Sequence, residues 1–315
     1  MLIVKGGEKL PEPIVIETPS YGLNRILGGG FWSGRYHIMW GNPQAGKSTF
    51  CLHTLAEAQR QGFVPVIVDA EGTMTDQWMD HCGIDMEHRI VIRSTIAEEI
   101  LQVMMPMLRE KQSKYIFLID SVNSIVMESF YKNDDSMGGV GIHARSQGAF
   151  IQKISSELIS DVNHCVIFIA QQTIGAKGQY FVTQGKFGNA AEHWATNIIR
   201  INASDSKDDT DRDVDDRILN RKVTWRVDKS KQNPVKGTKG DYWFNPDSAT
   251  IDNDREIFHI AVRNKVINRA GAWYNYGEHK FQGEAKFLIA MPEFREQLIA
   301  ELDAMQLAYE HEEVL

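Results

Sequence analysis

Gly41-Asn42-Pro43-Gln44-Ala45-Gly46-Lys47-Ser48-Thr49 is the stretch on which the reading of the whole chain turns. It fits the pattern G-x-x-x-x-G-K-[ST] without a gap. Glycines at its first and sixth positions let the backbone wrap a triphosphate with several N–H groups pointing inward. The lysine then reaches the β- and γ-phosphates, and the hydroxyl that follows sits on Mg2+. Context gives the match its weight. Tyr36 to Trp40 is a short apolar run that predicts a strand entering the loop. Phe50 to Gln61 reads as a helix leaving it, which turns a helix N-terminus toward the phosphates. All nine residues are expected to line a nucleotide site, with Lys47 also serving the chemistry and Ser48 the metal.

Outward from this loop, apolar runs alternate with helical stretches. Val64 to Val68, Tyr115 to Ile119 and Cys165 to Ile169 read as buried strands, Ala97 to Arg109 and His143 to Ile159 as helices. That alternation indicates an α/β fold with a mainly parallel sheet covered on both faces. Ligands of such sheets bind beyond the carboxyl ends of the strands. There the chain delivers Glu71, Asp120 and Gln171, each after an apolar strand. The chemistry of phosphoryl transfer suggests their roles. Asp120 would hold Mg2+ through water or through Ser48. Glu71 would orient the attacking water as general base. Gln171 would donate to a γ-phosphate oxygen and report its presence. Trp78, seven residues past Glu71, either covers the face of a base or packs in the core.

The remaining features set bounds. A chain of 315 residues, 43% hydrophobic, suits one large domain with a small appendage. Cys51, Cys82 and Cys165 are too few and too scattered for a disulfide framework or a metal site. Met1 to Val4 is followed at once by charge, so no signal peptide is expected, and no apolar run approaches the ~20 residues needed to span a bilayer. A soluble protein of a reducing compartment is the expectation. The net charge of −8 is unevenly spread: Asp205 to Asp216 holds seven aspartates, whereas Arg221 to Lys239 holds seven basic residues and one acid. Affinity for phosphate backbones follows the local patch, so the total says nothing about DNA. The aspartate-rich stretch lacks the glycine and distal glutamate of a calcium loop and reads as a solvated hairpin tip.

Two segments, Met127 to Gly141 and Thr173 to Asn189, are rich in glycine and lack hydrophobic periodicity. Long connections of this kind are usually functional or mobile, and both begin just past a nucleotide-facing strand end. The second mixes lysines with aromatic rings, a composition that suits single-stranded nucleic acid and equally a solvated surface loop.

With these pieces in place, the chain resembles the RecA-family recombinases, and among them the phage- or plasmid-borne relatives, from about Ile16 to Ala308. VIVDAEGTMTDQWMDHCGID (66–85) is similar to the family's stretch with the catalytic glutamate, at Glu71, and the adenine-stacking aromatic, at Trp78. FLIDSVNSI (117–125) resembles the Mg2+ strand with Asp120. IFIAQQ (167–172) resembles the strand whose glutamine, Gln171, senses the γ-phosphate, and FGNAAEHWATNIIRI (187–201) resembles the end of the second DNA loop. VDKSKQNP (227–234) looks like the segment whose lysines, Lys229 and Lys231, reach a neighbouring subunit's ATP. AGAWYNYGEHKFQGE (270–284) is similar to a C-terminal box of RecA proteins and sets the chain apart from hexameric helicases on the same core.

The resemblance implies a RecA-like P-loop ATPase core over residues 19–250, preceded by a short segment (1–18) and followed by a small, truncated α-rich region (251–315) with an acidic tail. It implies ATP and Mg2+, and DNA contacts at Arg145, Lys177, Phe181, Lys186, Phe187, Gly188 and Asn189 in two loops (about 127–141 and 173–190). The expected activity is that of a DNA-dependent ATPase. It would form filaments on single-stranded DNA and catalyse pairing and strand exchange with homologous duplex DNA, in the cytoplasm of a bacterial cell or phage-infected host. A ring helicase or DNA-translocating motor, and a regulatory ATP-binding scaffold without DNA, are the alternatives. The sequence departs from the family pattern in having few residues before its first strand, so Ile14 to Ile16 is the candidate subunit-docking strand. His193, beside Glu192, stands where the family has an aromatic relay residue beside a basic one.

Overall fold

The computed structural model describes residues 6–128, 140–159, 161–177, 180–185 and 188–312, with the backbone alone described at 140–146, 173–177, 180–184, 188–190 and 306–312. β1 (Val15–Ile16) pairs antiparallel with β2 (Phe31–Trp32) on either side of α1 (Tyr21–Leu27). The expected docking strand is thus paired within its own chain, and Ile16 is fully buried.

The large sheet takes β3 (Arg35–Gly41), β4 (Phe63–Asp69), β5 (Ile90–Ile92), β6 (Lys114–Asp120), β7 (Cys165–Lys177), β8 (Tyr180–Gly185), β9 (Asn197–Ala203), β10 (Thr210–Arg212), β11 (Ile218–Ser230), β12 (Lys239–Asn245) and β13 (Thr250–Asp252). Its order is β13-β12-β11-β9-β3-β7-β6-β4-β5, with β10 beside β11 and β8 beside β7. From β9 through β3 to β5 every pairing is parallel, whereas β11, β12 and β13 add on antiparallel. The parallel part needs crossovers, and α2 (Lys47–Arg60), α3 (Asp76–His81), α4 (Ala97–Arg109), α5 (Val140–Leu158) and α6 (Gly188–Trp194) lie in the connections.

Because strand side chains alternate, one sheet serves two cores. Ile116 and Leu118 of β6 join Met39, Phe50 and Leu55 on one face. Phe117 and Ile119 join Ile38, Met104 and Ile154 on the other. This double burial is why the central strands read as unbroken apolar runs.

The aspartate-rich stretch becomes a short 3-10 turn and β10, which pairs with β11 as a hairpin arm. Beyond β13 lies α7 (Asn253–Arg263). Asn264 caps it, Lys265 turns at φ 61°, and the chain enters β14 (Asn268–Ala270). β14, β15 (Trp273–Tyr276) and β16 (His279–Gln282) form a small antiparallel sheet, so the region is mixed and not simply α-rich. With α8 (Glu284–Ala290) and α9 (Arg295–Glu312) it encloses a third core around Phe258, Phe287, Phe294 and Leu298.

That region grips α1. Ser20 caps the helix by accepting from Leu23 N at 3.1 Å, and the buried carboxylate of Glu256 takes the Ser20 hydroxyl (2.6 Å) and the Tyr21 and Gly22 N–H groups (2.9 and 3.1 Å). A Cβ on Gly22 would meet Glu256 Oε1 at 2.9 Å, so the close approach requires glycine there. Burial pushes the Glu256 carboxyl up to about 7, against the pull of its three donors. Replacing it by glutamine turns an amide donor toward groups that need an acceptor. Leaving such donors unpaired costs roughly 1–3 kcal/mol. Glu256→Gln should therefore lower the melting temperature by about 2–12 °C, at roughly 2–4 °C per kcal/mol for large domains. An unchanged calorimetric melt would remove Glu256 from this role.

Candidate active site

The strand ends assemble the site. In register, Gly41 at the end of β3 stands beside Gln171 on β7, and Asp120 at the end of β6 beside Asp69 on β4. Glu71 follows two residues later. Two glycines of the loop are required by its path. A Cβ on Gly41 would lie 1.6 Å from the Ile201 carbonyl oxygen, and Gly46 takes φ 84° as it opens α2.

Lys47 is only 9% exposed. Its ammonium donates to the carbonyls of Gly41 (3.1 Å) and Asn42 (2.6 Å) and, among the described residues, forms no ion pair. Burial lowers its pKa. A buried cation held by neutral carbonyls at a helix N-terminus is poised for an anion. Ser48 Oγ donates to Asp120 Oδ2 at 2.5 Å. Burial pushes the Asp120 carboxyl up to about 6, with Glu71 adding to the rise and the Ser48 hydroxyl opposing it. A divalent cation answers that strain, because it compensates a carboxylate that burial disfavours. No group of three or more His, Cys, Asp or Glu able to hold a metal ion by itself occurs among the described residues. Ser48 and Asp120 fit Mg2+ that arrives with phosphate oxygens, which is how that ion is commonly held.

Glu71 is exposed at the mouth of the site. Its Oε1 accepts from Ser121 Oγ (2.6 Å) and from Gln171 Nε2 (3.0 Å), while the Gln171 backbone N–H donates to Asn123 Oδ1 (2.7 Å). The expected base and the expected phosphate sensor therefore touch each other directly. Trp78, half-buried on α3, lines a cleft of about 250 Å³ with Gln44 to Thr49, Phe244 and Pro246. Its flat faces suit a base beside the phosphate loop.

The sequence reading missed several of these partners. Ser121 stood next to Asp120 and could have been found as a donor following an acid. Asp69, buried and 3.4 Å from Arg93, anchors the turn to Glu71 by accepting from Thr73 N and Met74 N. Phe244, near the far end of β12, and Pro246, just past it, carry no local signal.

Lys229 and Lys231 lie elsewhere. Ser230 pairs with Asn197, and Asn197 with His37 at the beginning of β3, whereas the phosphate loop leaves its end at Gly41. Four residues of strand, about 13 Å, separate the two levels. The lysines hold the carbonyl end of α6 instead: Lys229 Nζ donates to Glu192 O and to His193 O (2.7 Å), and Lys231 Nζ to Trp194 O (3.3 Å). Burial and the nearby Lys231 charge lower the pKa of Lys229. Beside them opens a cleft of about 440 Å³ edged by Arg35, Tyr36 and Trp194.

Of the candidate DNA residues, Lys186 and Phe187 lie outside the described residues, as does most of the first loop. Arg145 sits on α5, Lys177 on β7, Phe181 on β8, and Gly188 and Asn189 open α6, with only the backbone described. The segment after Gln171 is not structureless: β7 continues to Lys177 and pairs with β8, Gln172 opposite Gly185 through Lys177 opposite Tyr180. Its β-branched residues, Thr173, Ile174, Val182 and Thr183, favour strands although their order carries no hydrophobic period. No helix among the described residues is long and apolar enough to cross a membrane.

A family model for the RecA N-terminal domain matches residues 2–245. Protein RecA of Nautilia profundicola is 26% identical over 318 residues, covering 98% of this chain and 88% of its own length. A mitochondrial DNA repair protein recA homolog of Dictyostelium discoideum is 31% identical, over 92% of this chain and 63% of that protein. Protein RecA of a Sulfurovum species is 26% identical, over 94% and 85%. The family model spans well over half of the chain, and it places this chain in the RecA family of recombinases.

Proposed function

We propose that this chain is a DNA-dependent ATPase that polymerises on single-stranded DNA and catalyses homologous pairing and strand exchange. The observation that carries this reading is the separation of the phosphate loop from the lysine pair. Lys47, Ser48, Glu71, Asp120 and Gln171 gather at one end of the sheet; Lys229 and Lys231 stand about 13 Å away in strand length. A site split in this way is completed by a second copy stacked head to tail, and repetition of such a contact builds an open filament.

Lys47 and the inward N–H groups of residues 41–49 bind and orient the phosphates of ATP. Ser48 and Asp120 would hold Mg2+, which supplies neutralisation of charge on the phosphate oxygens. Glu71 takes a proton from the attacking water, and Ser121 keeps its carboxylate aimed. Gln171 begins bonded to Glu71; an added phosphate oxygen offers its amide a competing acceptor. Because β7 runs unbroken from Gln171 into the hairpin ending at Gly185, that choice can reach the DNA-facing segment. The neighbour's Lys229 and Lys231 would complete the charge balance. Hydrolysis then loosens the grip on DNA and is not the pairing chemistry.

Electron microscopy with single-stranded DNA and a slowly hydrolysed ATP analogue tests the reading. Open helical filaments are expected, and closed rings would favour a helicase. Glu71→Gln should keep ATP binding while turnover falls about 10²–10⁴-fold, the scale of general-base loss. Filaments of that variant should outlast the parent's on DNA. Unaltered hydrolysis would reduce Glu71 to a residue that ends a strand.

A further inference from the structure

β11 carries a bulge just ahead of the lysine pair. Val227 stands opposite Ile199 and Lys229 opposite Ile198, so two steps on β11 match one step on β9, and Asp228 is the extra residue. The consequence is one of parity. Val223, Trp225 and Val227 face the core that holds Ile199 and Ile201. An unbulged strand would keep Lys229 on that side, opposite Asn197. With the extra residue, Lys229 shares the side of Ile198, which belongs to the other core, and Lys231 follows two residues later. A single residue therefore decides which face of the sheet both ammonium groups serve.

The bulge is held from three strands. The Asp228 carboxylate accepts from Trp40 Nε1 of β3 (3.0 Å) and from Arg200 Nε and Nη2 of β9 (both 3.2 Å), with Arg226 of β11 at 3.4 Å. The Arg200 guanidinium also lies over the Trp40 ring, 4.4 Å from its centroid. Beyond the lysines the chain is anchored again. Gln232 meets Asn197 and donates to Leu27 O and Gly30 O (3.2 and 3.0 Å), and Asn233 donates to Ile26 O (3.0 Å). Lys229 to Lys231 are thus strung between two fixed points. Trp40 directly precedes Gly41, so the carboxylate also joins the subunit's own phosphate loop to the lysines it offers a neighbour.

We propose that Asp228 is a positioning residue for the DNA-stimulated reaction: its carboxylate pins the bulge that aims Lys229 and Lys231 at the neighbouring subunit's triphosphate. This rests on the reading that the two lysines act in trans. The experiment compares Asp228→Ala, Asp228→Asn and Arg200→Gln, each alone and in a Lys229→Ala/Lys231→Ala background. ATP binding by the isolated subunit, kcat and KM with and without single-stranded DNA, and melting are read for each. Asp228→Ala should lower the DNA-stimulated kcat tenfold or more, with KM within twofold and subunit binding unchanged. Asp228→Asn keeps an oxygen acceptor for Trp40 and should recover most of the rate; Arg200→Gln should lose threefold or more. In the lysine-free background none should reduce the residual rate further. If Asp228→Ala does not fold, Arg200→Gln carries the test from the neighbouring strand. Folded variants with kcat within twofold, or a loss that persists without the lysines, would overturn the proposal while leaving the trans reading intact. Full DNA-stimulated turnover in the lysine-free parent would instead overturn the trans reading, and the positioning role with it.

Discussion

Lys47→Ala should bind ATP about 10–150-fold more weakly and turn it over about 10²–10³ times more slowly. The ammonium is buried against the carbonyls of Gly41 and Asn42, and hydrogen bonds to charged groups are worth roughly 1.5–3 kcal/mol. Its loss in the transition state is larger, since a preorganised donor removed from a water-poor site costs about 10²–10³ in rate. The fold should survive, because Gly41 and Asn42 lose only a donor to their carbonyls at the rim of the loop. Titration calorimetry of ATP and a phosphate-release assay measure the two effects. Wild-type turnover in a folded variant would mean that residues 41–49 have been misread.

The second large effect is expected from Lys229→Ala combined with Lys231→Ala. In one subunit these ammonium groups rest on the Glu192, His193 and Trp194 carbonyls and cannot reach their own phosphate loop. The isolated subunit should therefore bind nucleotide nearly as the parent does. In a filament, placed against a neighbour's γ-phosphate in a desolvated interface, they should be worth about 10²–10³ in DNA-stimulated rate. Mixing makes the argument sharper. Lys47→Ala subunits offer good lysines and a dead loop, and the double variant the reverse. In an equal mixture with heterologous contacts, about a quarter of interfaces join two good halves, and activity should return in that proportion. Mixed filaments that stay inactive at every ratio would refute the trans role.

The parts of this molecule that were legible in the sequence are those governed by local rules. The phosphate loop announces itself because its glycines, lysine and hydroxyl are consecutive. The central strands announce themselves because burial on both faces leaves nothing polar in Val64 to Val68 or Tyr115 to Ile119. That Glu71, Asp120 and Gln171 gather beside the phosphate loop was legible because each follows an apolar strand of one parallel sheet. What escaped depends on partners distant in sequence. Phe244 and Pro246 reach the nucleotide cleft only once β12 has joined the sheet. The hairpin after Gln171 is held by cross-strand pairing, with no hydrophobic period to betray it. The bulge at Asp228 exists only relative to β9. β1 was recognised as a strand, but its partner β2, two residues long, was not.

The clasp between Glu256 and the beginning of α1 joins groups 236 residues apart in sequence. A chain is made from its N-terminus, so Ser20, Tyr21 and Gly22 leave the ribosome long before their acceptor exists. At 5–20 residues per second, the interval is roughly 10–50 s. Throughout it α1 has its serine cap but lacks the carboxylate that takes two of its free N–H groups. Ribosome-arrested chains that stop before Glu256 should be cut by protease near Tyr21 to Leu27, and chains that expose α7 should not. α1 is synthesised before the phosphate loop yet secured long after it, so a nascent subunit would carry a finished loop while α1 is still unsettled.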